Sequence, residues 1–186
     1  MAFNQLVPIT LVIWFCGIAC FTGGWLLLGK ADGKGAGFVV AMAGLAAQVT
    51  VFISLAVYAP TNAVIAEGLI VSVPTSAAIF LITPEIYGFI LTSFGMHAYN
   101  GWDLRSQGWL AVYMGITALW DQYLFAGSAF WAIMNFTWVV ALWATAAACL
   151  TKWPVGKFLG WWLIILCGLF SLLYCSIALA TAGWFW

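Results

Sequence analysis

The chain has 186 residues, of which 66% are hydrophobic and only 5% are charged, whereas about 25% of the residues in an ordinary soluble domain are charged. This composition excludes a water-soluble protein and indicates one that lies in the lipid bilayer. Because five Lys or Arg balance five Asp or Glu, the chain has no basic stripe for nucleic acid and no polybasic tail for a membrane surface. The length allows at most about six or seven helical crossings, since each needs about 20 apolar residues.

Polar breaks in the apolar sequence predict six membrane-spanning helices. The breaks are the glycine-rich turn 29–35 and the segments 59–62, 99–108, 126–128 and 151–157, which a helix would not keep inside lipid. We therefore predict an all-α protein with a single transmembrane domain over residues 1–186. Its spans are expected at about 6–28, 36–58, 76–97, 109–124, 129–150 and 158–183.

The positively charged residues all fall in the breaks after the first, third and fifth predicted spans. They are Lys30, Lys34, Arg105, Lys152 and Lys157. By the positive-inside rule these three loops are cytoplasmic, which places both termini outside. The apolar stretch 63–75 is then interpreted as an outer loop, interfacial or re-entrant. A seventh crossing there is the alternative, but it would divide the positive charges between the two faces of the membrane.

The fifth predicted span carries a face with polar and aromatic side chains. Trp131, Asn135 and Trp138 recur at i, i+4 and i+7, and Leu142 follows on the same face. An asparagine between two tryptophans is costly toward lipid and favourable toward a cavity. The pattern therefore indicates a cavity-lining face, and a bulky packing stripe at a subunit interface is the alternative.

Two further polar residues lie near the ends of the third predicted span. Glu85 follows a proline, two to three turns in from the outer end, and is either part of an outer vestibule or a hydrogen-bond partner of backbone freed by the proline. His97 lies near the inner end and is interpreted as an interfacial hydrogen-bonding residue. Both are possible vestibule residues.

Metal, cofactor and catalytic motifs are missing from the sequence. The five cysteines have no CxxC spacing and a single histidine to help them, so they are interpreted as small buried apolar residues. We find no nucleophile with a matching base, no carboxylate pair in a recognisable arrangement and no phosphate-binding glycine loop. We therefore predict that the protein binds no metal or cofactor and is not an enzyme.

Three segments resemble the AmiS/UreI family of urea and short-chain amide channels. The first runs from Phe15-x-Gly17 through Lys30-x-Asp32-x-Lys34 to AMAGL at 41–45. The second contains Tyr87-Gly88-Phe89 and the pattern Gly101-x-Asp103-x-Arg105-x-x-x-Trp109. The third combines Trp131-Ala132-Ile133 and Trp138 with KWPVGKF at 152–158. Together they cover most of the chain.

The resemblance implies a six-helix protomer that encloses a pore and assembles as a hexameric ring in the bacterial inner membrane. The implied pore-lining residues are Tyr87 and Leu91 on the third helix and Trp131, Asn135, Trp138 and Leu142 on the fifth. A neutral planar amide can pass edge-on between aromatic faces, whereas an ion loses too much hydration there. We therefore expect a passive channel for urea or short-chain aliphatic amides, with lipid and further copies of the chain as its partners.

A second hypothesis stays open at this point. The chain could instead be a non-transporting membrane subunit of a larger complex, with its aromatic face packed against a partner helix, lipid or pigment. Purification in mild detergent separates the two hypotheses, because a channel forms a homomeric ring and a subunit co-purifies with other polypeptides.

Overall fold

The structure is a computed structural model that describes the backbone of residues 6–58, 64–66, 69–71, 75–124 and 129–181. Side chains are described for residues 10–53, 86–123 and 132–176. Trp131 and Glu85 therefore lie outside the residues whose side chains the structure describes, and so do both termini.

Long helices make up most of the described chain. They are α1 (Leu6–Leu27), α2 (Gly33–Tyr58), α3 (Thr75–Asn100), α4 (Arg105–Leu124), α5 (Ala129–Leu150) and a last helical rod. That rod consists of α6 (Gly156–Trp162), a π-helical segment (Leu163–Leu169) and α7 (Phe170–Thr181). Four stretches of the described residues are long and apolar enough to cross a membrane: Thr10–Leu27, Gly33–Ile53, Ala132–Leu150 and Gly156–Ser176.

A small β-hairpin lies in the stretch predicted as an outer loop. Strand β1 (Val64–Ala66) pairs antiparallel with β2 (Leu69–Val71), with Val64 opposite Val71. The two strands are rich in the β-branched residues valine and isoleucine, which favour extended backbone. Apart from this short pair of strands, the described secondary-structure elements are helical, as predicted.

The helix ends follow local capping signals. Gly29 adopts φ 68°, and Lys30 N–H donates to Trp25 O at 2.9 Å, the pattern of a Schellman cap. At the start of α4, Asp103 Oδ1 accepts a hydrogen bond from Arg105 N–H at 2.9 Å. This cap starts α4 four residues before the predicted span at 109, because an aspartate can satisfy the first free backbone N–H groups of a helix.

Small residues allow α2 and α3 to pack closely. A Cβ atom on Gly44 would lie 2.5 Å from Thr92 N and 2.7 Å from Gly88 O, and one on Gly37 would lie 2.8 Å from Gly95 O. Such close backbone approach is the usual way in which membrane helices associate. Next to this contact, Gln48 Nε2 donates a hydrogen bond to Thr92 Oγ1 at 2.8 Å.

The loops that carry the positive charges lie at one end of the bundle. A Cβ atom on Gly33 would contact Ala98 O at 3.5 Å, one on Gly108 would contact Leu150, and one on Gly160 would contact Leu28. These contacts join the start of α2 to the end of α3, the start of α4 to the end of α5, and the start of α6 to the end of α1. The lysines and the arginine of these loops are exposed.

The π-helical segment widens the last rod where it packs on α1 and α5. Trp162 Nε1 donates a hydrogen bond to Thr137 O at 2.8 Å, and Cys167 Sγ donates to the same carbonyl at 3.6 Å. A wider i→i+5 turn brings residues five positions apart toward the same side of the rod. Beyond this segment, the buried Ser171 packs against Gly17 of α1.

Candidate functional site

Trp138 of α5 packs against Tyr87 of α3 in the interior of the bundle. Their ring centroids are 4.6 Å apart and the ring planes are inclined by 43°, within the range of favourable aromatic pairs. Each side chain is only 6% exposed. A rigid aromatic wall therefore lies in the core of the helical bundle.

A cavity lies beside Trp138. Its lining comes from α1, α3, α4, α5, α6 and the π-helical segment, and it includes Leu91, Trp138 and Leu142 together with the polar residues Gln107 and Thr145. Of the described residues that line the cavity, none is charged. The wall is therefore mostly apolar, with a few polar groups.

The size of this cavity limits what it can hold. The centre of a water molecule can occupy about 40 Å³ of it, and one water needs roughly 10–15 Å³ by that measure. The space thus accommodates about three waters. Since bonded atoms lie closer together than separate waters, it also fits one small solute of the size of urea or acetamide.

Asn135 joins three helices through hydrogen bonds. Its Oδ1 accepts a hydrogen bond from the Tyr87 hydroxyl at 2.8 Å. Its Nδ2 donates to Ala118 O at 2.8 Å and to Gln122 Oε1 at 2.9 Å. The amide oxygen and both amide hydrogens of Asn135 are then engaged, so this side chain ties α3 and α4 to α5 and fixes the tyrosine that contacts Trp138.

Gln107 is the most buried polar residue of the cavity wall, with 1% of its surface exposed. Its Nε2 donates a hydrogen bond to Ile90 O at 3.0 Å. Among the buried side-chain oxygen and nitrogen atoms that the structure describes, only Gln107 Oε1 and Ser171 Oγ have no hydrogen-bond partner. An unpartnered acceptor in such surroundings is costly and calls for an explanation.

The structure separates the residues that the sequence assigned to one site. Leu91, Trp138 and Leu142 line the cavity. Tyr87 and Asn135 are buried beside Trp138 but are not among the cavity-lining residues, and they are hydrogen-bonded to each other. Trp131 lies outside the described side chains, so its assignment stays a prediction, as does that of Glu85.

His97 lies at the charged end of the bundle. Its Nδ1 is 2.8 Å from Ser93 O, and its Nε2 is 2.9 Å from the Ser106 hydroxyl oxygen. Because a carbonyl only accepts hydrogen bonds, the proton belongs on Nδ1. The ring also meets Trp102 edge-on at a centroid distance of 5.6 Å. These contacts place His97 in a link between α3 and the start of α4.

Sequence reasoning missed Gln107 because the break at 99–108 was interpreted as a solvated loop. The signal that could have found it is Asp103, a favourable helix-capping residue, which places Gln107 inside a helix that starts at Arg105. No group of three or more His, Cys, Asp or Glu residues suited to a metal ion occurs within the described ranges.

The long apolar helices, four of which are long and apolar enough to cross a membrane, indicate an integral membrane protein of the polytopic helical class. Within that class, the fold is that of a urea channel. The chain is similar to the crystal structure of the urea channel from the human gastric pathogen Helicobacter pylori, with a TM-score of 0.72 and 21% identity over 91% of this chain and 96% of that one. A cryo-EM structure of the Helicobacter pylori urea channel in the closed state gives a TM-score of 0.70 and 20% identity over 92% and 97% of the two chains.

No family model matches the sequence, and no curated protein matches it. At this level of identity the structural similarity establishes the fold.

Proposed function

We propose that the protein is a passive channel for small neutral solutes, urea or short-chain aliphatic amides, across the bacterial inner membrane. The observation that carries this proposal is the small uncharged cavity beside the Trp138–Tyr87 pair, enclosed by a bundle with the fold of a urea channel. The chain then acts without a cofactor and is not an enzyme.

The chemistry of the cavity favours a neutral solute over an ion. An ion must exchange its hydration shell for protein groups, and an apolar wall without charges cannot supply them. A planar amide loses less, because its flat faces suit aromatic and aliphatic surfaces while its polar edge needs only a few hydrogen bonds. The cavity volume of about 40 Å³ fits a solute of this size.

The proposed constriction consists of Trp138, Leu91 and Leu142, which line the cavity. Trp131 stands two turns before Trp138 on α5 and is proposed to extend the same aromatic face toward the outside. Tyr87 and Asn135 act indirectly. Their hydrogen bond fixes the position of the Tyr87 ring, which contacts Trp138.

The proposed vestibules lie on either side of the constriction along α3. Glu85 belongs to the outer vestibule. His97 belongs to the inner one, next to the charged loops.

We also propose the organisation of the protein in the membrane. Helices α1 to α5 and the rod from α6 to α7 form the six spans of a single transmembrane domain. The α3 and α4 helices have 26 and 20 residues, and even the shorter one reaches about 30 Å at 1.5 Å per residue, the thickness of the hydrocarbon core. With the charged loops inside, both termini lie outside. Further copies of the chain complete a ring, with a hexamer as the expected number.

Stopped-flow light scattering on proteoliposomes tests the proposed function. Vesicles with the purified protein are mixed with urea, acetamide or sodium chloride, and empty vesicles of the same lipid provide the background. We expect urea or acetamide to equilibrate at least tenfold faster than in empty vesicles, while the salt permeability stays at background. Urea and acetamide permeabilities equal to those of empty vesicles would refute the channel.

An aromatic stripe on α4 favours a second candidate function, that of a non-transporting subunit of a larger membrane complex. Trp109, Tyr113, Trp120 and Tyr123 are each between 64% and 81% exposed in the single chain and follow a helical spacing of four, seven and three residues. Native mass spectrometry of the protein extracted in mild detergent separates the candidates. A homomeric ring supports the channel, and a constant stoichiometry with another polypeptide supports the subunit.

A further inference from the structure

The orientation of the Gln107 carboxamide is fixed by its one hydrogen bond. Ile90 O can only accept, so the side-chain atom 3.0 Å from it must be the nitrogen Nε2. The oxygen Oε1 then points away from Ile90, on the other side of the planar amide group. Ile90, Gln107 and Leu91 all belong to the cavity wall.

Gln107 Oε1 has lone pairs but no donor. The residue is 1% exposed, and this oxygen has no hydrogen-bond partner among the described residues. The second atom of this kind, Ser171 Oγ, lies elsewhere, where α7 packs against Gly17. Within the cavity wall, Gln107 Oε1 is therefore a buried acceptor without a hydrogen-bond partner.

The other polar groups of the wall add to its acceptor character. Thr145 Oγ1 donates its hydrogen to Ala141 O at 2.8 Å, so its lone pairs remain for a donor from the cavity. Trp138, Leu91 and Leu142 supply the apolar surface around these acceptors. A complementary ligand is flat, uncharged and brings at least one N–H group.

From this geometry we propose that Gln107 is a solute-binding residue of the channel, whose Oε1 accepts a hydrogen bond from an N–H group of urea or a primary amide. The inference rests on the proposed function and names a recognition group within it. When no solute is bound, a water molecule donates a hydrogen bond to Gln107 Oε1, so the arriving solute replaces one hydrogen bond with another. The acceptor selects for N–H donors, and the apolar wall selects for a planar shape.

Permeability measurements on two matched variants test this role. Gln107→Leu removes the acceptor at nearly constant side-chain size. Gln48→Leu makes the same chemical change on α2, where Gln48 binds Thr92 and does not line the cavity. We expect Gln107→Leu to lower urea permeability at least tenfold and Gln48→Leu to change it less than twofold. Equal urea permeability of Gln107→Leu and the unchanged protein would overturn the inference.

A competition experiment on the unchanged protein tests the role of Gln107 without any substitution. Acetamide and acetone have nearly the same shape and the same number of heavy atoms, but only acetamide carries N–H groups. Each is present at equal concentration on both sides of the vesicle while urea flux is followed. We expect acetamide to slow urea flux at least twofold more than acetone does. Equal effects of the two solutes, whether both slow the flux or neither does, would overturn the role of Gln107.

These outcomes separate the failure of this inference from that of the proposed function. If the unchanged protein conducts urea but the Gln107→Leu or competition experiment gives the contrary result, the proposed channel function is upheld and other groups recognise the solute. If the unchanged protein passes no urea or acetamide above the background of empty vesicles, the proposed function fails and takes this inference with it. Size-exclusion chromatography of each variant excludes misassembly, and where Gln107→Leu does not assemble the competition experiment decides.

Discussion

Replacing Asn135 with leucine should weaken the bundle while leaving urea permeability almost unchanged. The substitution removes three hydrogen bonds, to the Tyr87 hydroxyl, Gln122 Oε1 and Ala118 O. Hydrogen bonds between side chains in membrane proteins contribute about 0.6 kcal/mol each on average, so the expected loss is about 2 kcal/mol. Leucine has a similar volume, and no large cavity term adds to this value.

A double-mutant cycle with Tyr87→Phe isolates the central contact. The tyrosine variant loses one hydrogen bond and should cost about 0.6 kcal/mol. Because Asn135→Leu already breaks the same bond, the double variant should cost about 2 kcal/mol rather than the sum of the two. Unfolding in mixed detergent micelles with increasing dodecyl sulfate, followed by circular dichroism, measures all three free energies. Gln48→Leu, which breaks one interhelical hydrogen bond, is the control at about 0.6 kcal/mol.

The same variants decide whether Asn135 touches the solute. If Asn135 does not contact the solute and the Tyr87 ring still packs against Trp138 without its hydrogen bond, urea permeability of Asn135→Leu stays within about twofold of the unchanged protein. A tenfold loss of permeability with strictly additive stability effects would refute this reasoning and would assign Asn135 to direct solute binding.

Four other substitutions, of which one is a control, probe the constriction, the helix packing and the orientation. Trp138→Phe keeps an aromatic contact with Tyr87 but widens the cavity, so the ratio of acetamide to urea permeability should rise at least twofold; an unchanged ratio would remove Trp138 from the pore. Gly44→Ala places a Cβ atom 2.5 Å from backbone of α3 and should cost about 1–3 kcal/mol in the micelle unfolding assay. Gly156→Ala, with no atom within 4 Å, should stay within about 0.5 kcal/mol, and equal losses would contradict the packing argument. Lys152→Cys should react with a membrane-impermeant maleimide only after the cells are permeabilised, and labelling of intact cells would reverse the proposed orientation.

Much of the helical layout could be predicted because lipid imposes a strict rule on polar residues. Glycines and charged residues interrupt the apolar runs where the chain leaves the membrane, and α1 and α5 begin and end within one residue of the predicted spans. The start of α4 was predicted too late because apolar periodicity begins at Trp109, whereas the helix begins at Arg105, just after its cap Asp103.

The site was harder to predict than the fold. The periodicity of α5 placed Trp138 and Leu142 on one face, and both residues line the cavity. It could not show that Asn135 would turn its amide toward Gln122 and Ala118, because hydrogen-bond partners on another helix leave no trace in the spacing. Gln107 was not predicted as a site residue for a similar reason. Its burial depends on its contact with Ile90 and on where α4 begins.

The π-helical segment Leu163–Leu169 determines how α7 is oriented relative to α6 in the last rod. Its wide turn contains one residue more than an α-helix would need, so the faces of α6 and α7 are offset along the rod. Deleting that one residue would let the segment close as regular α-helix with α6 and α7 in place, whereas deleting a second residue would rotate α7 by about 100° relative to α6. Ser171 and Cys175, which are now fully buried, would then turn away from α1, while the side chains of α6 stayed in place. This segment therefore sets the register of α7, and a change in length that its wide turn cannot absorb would rearrange the contact between α7 and α1.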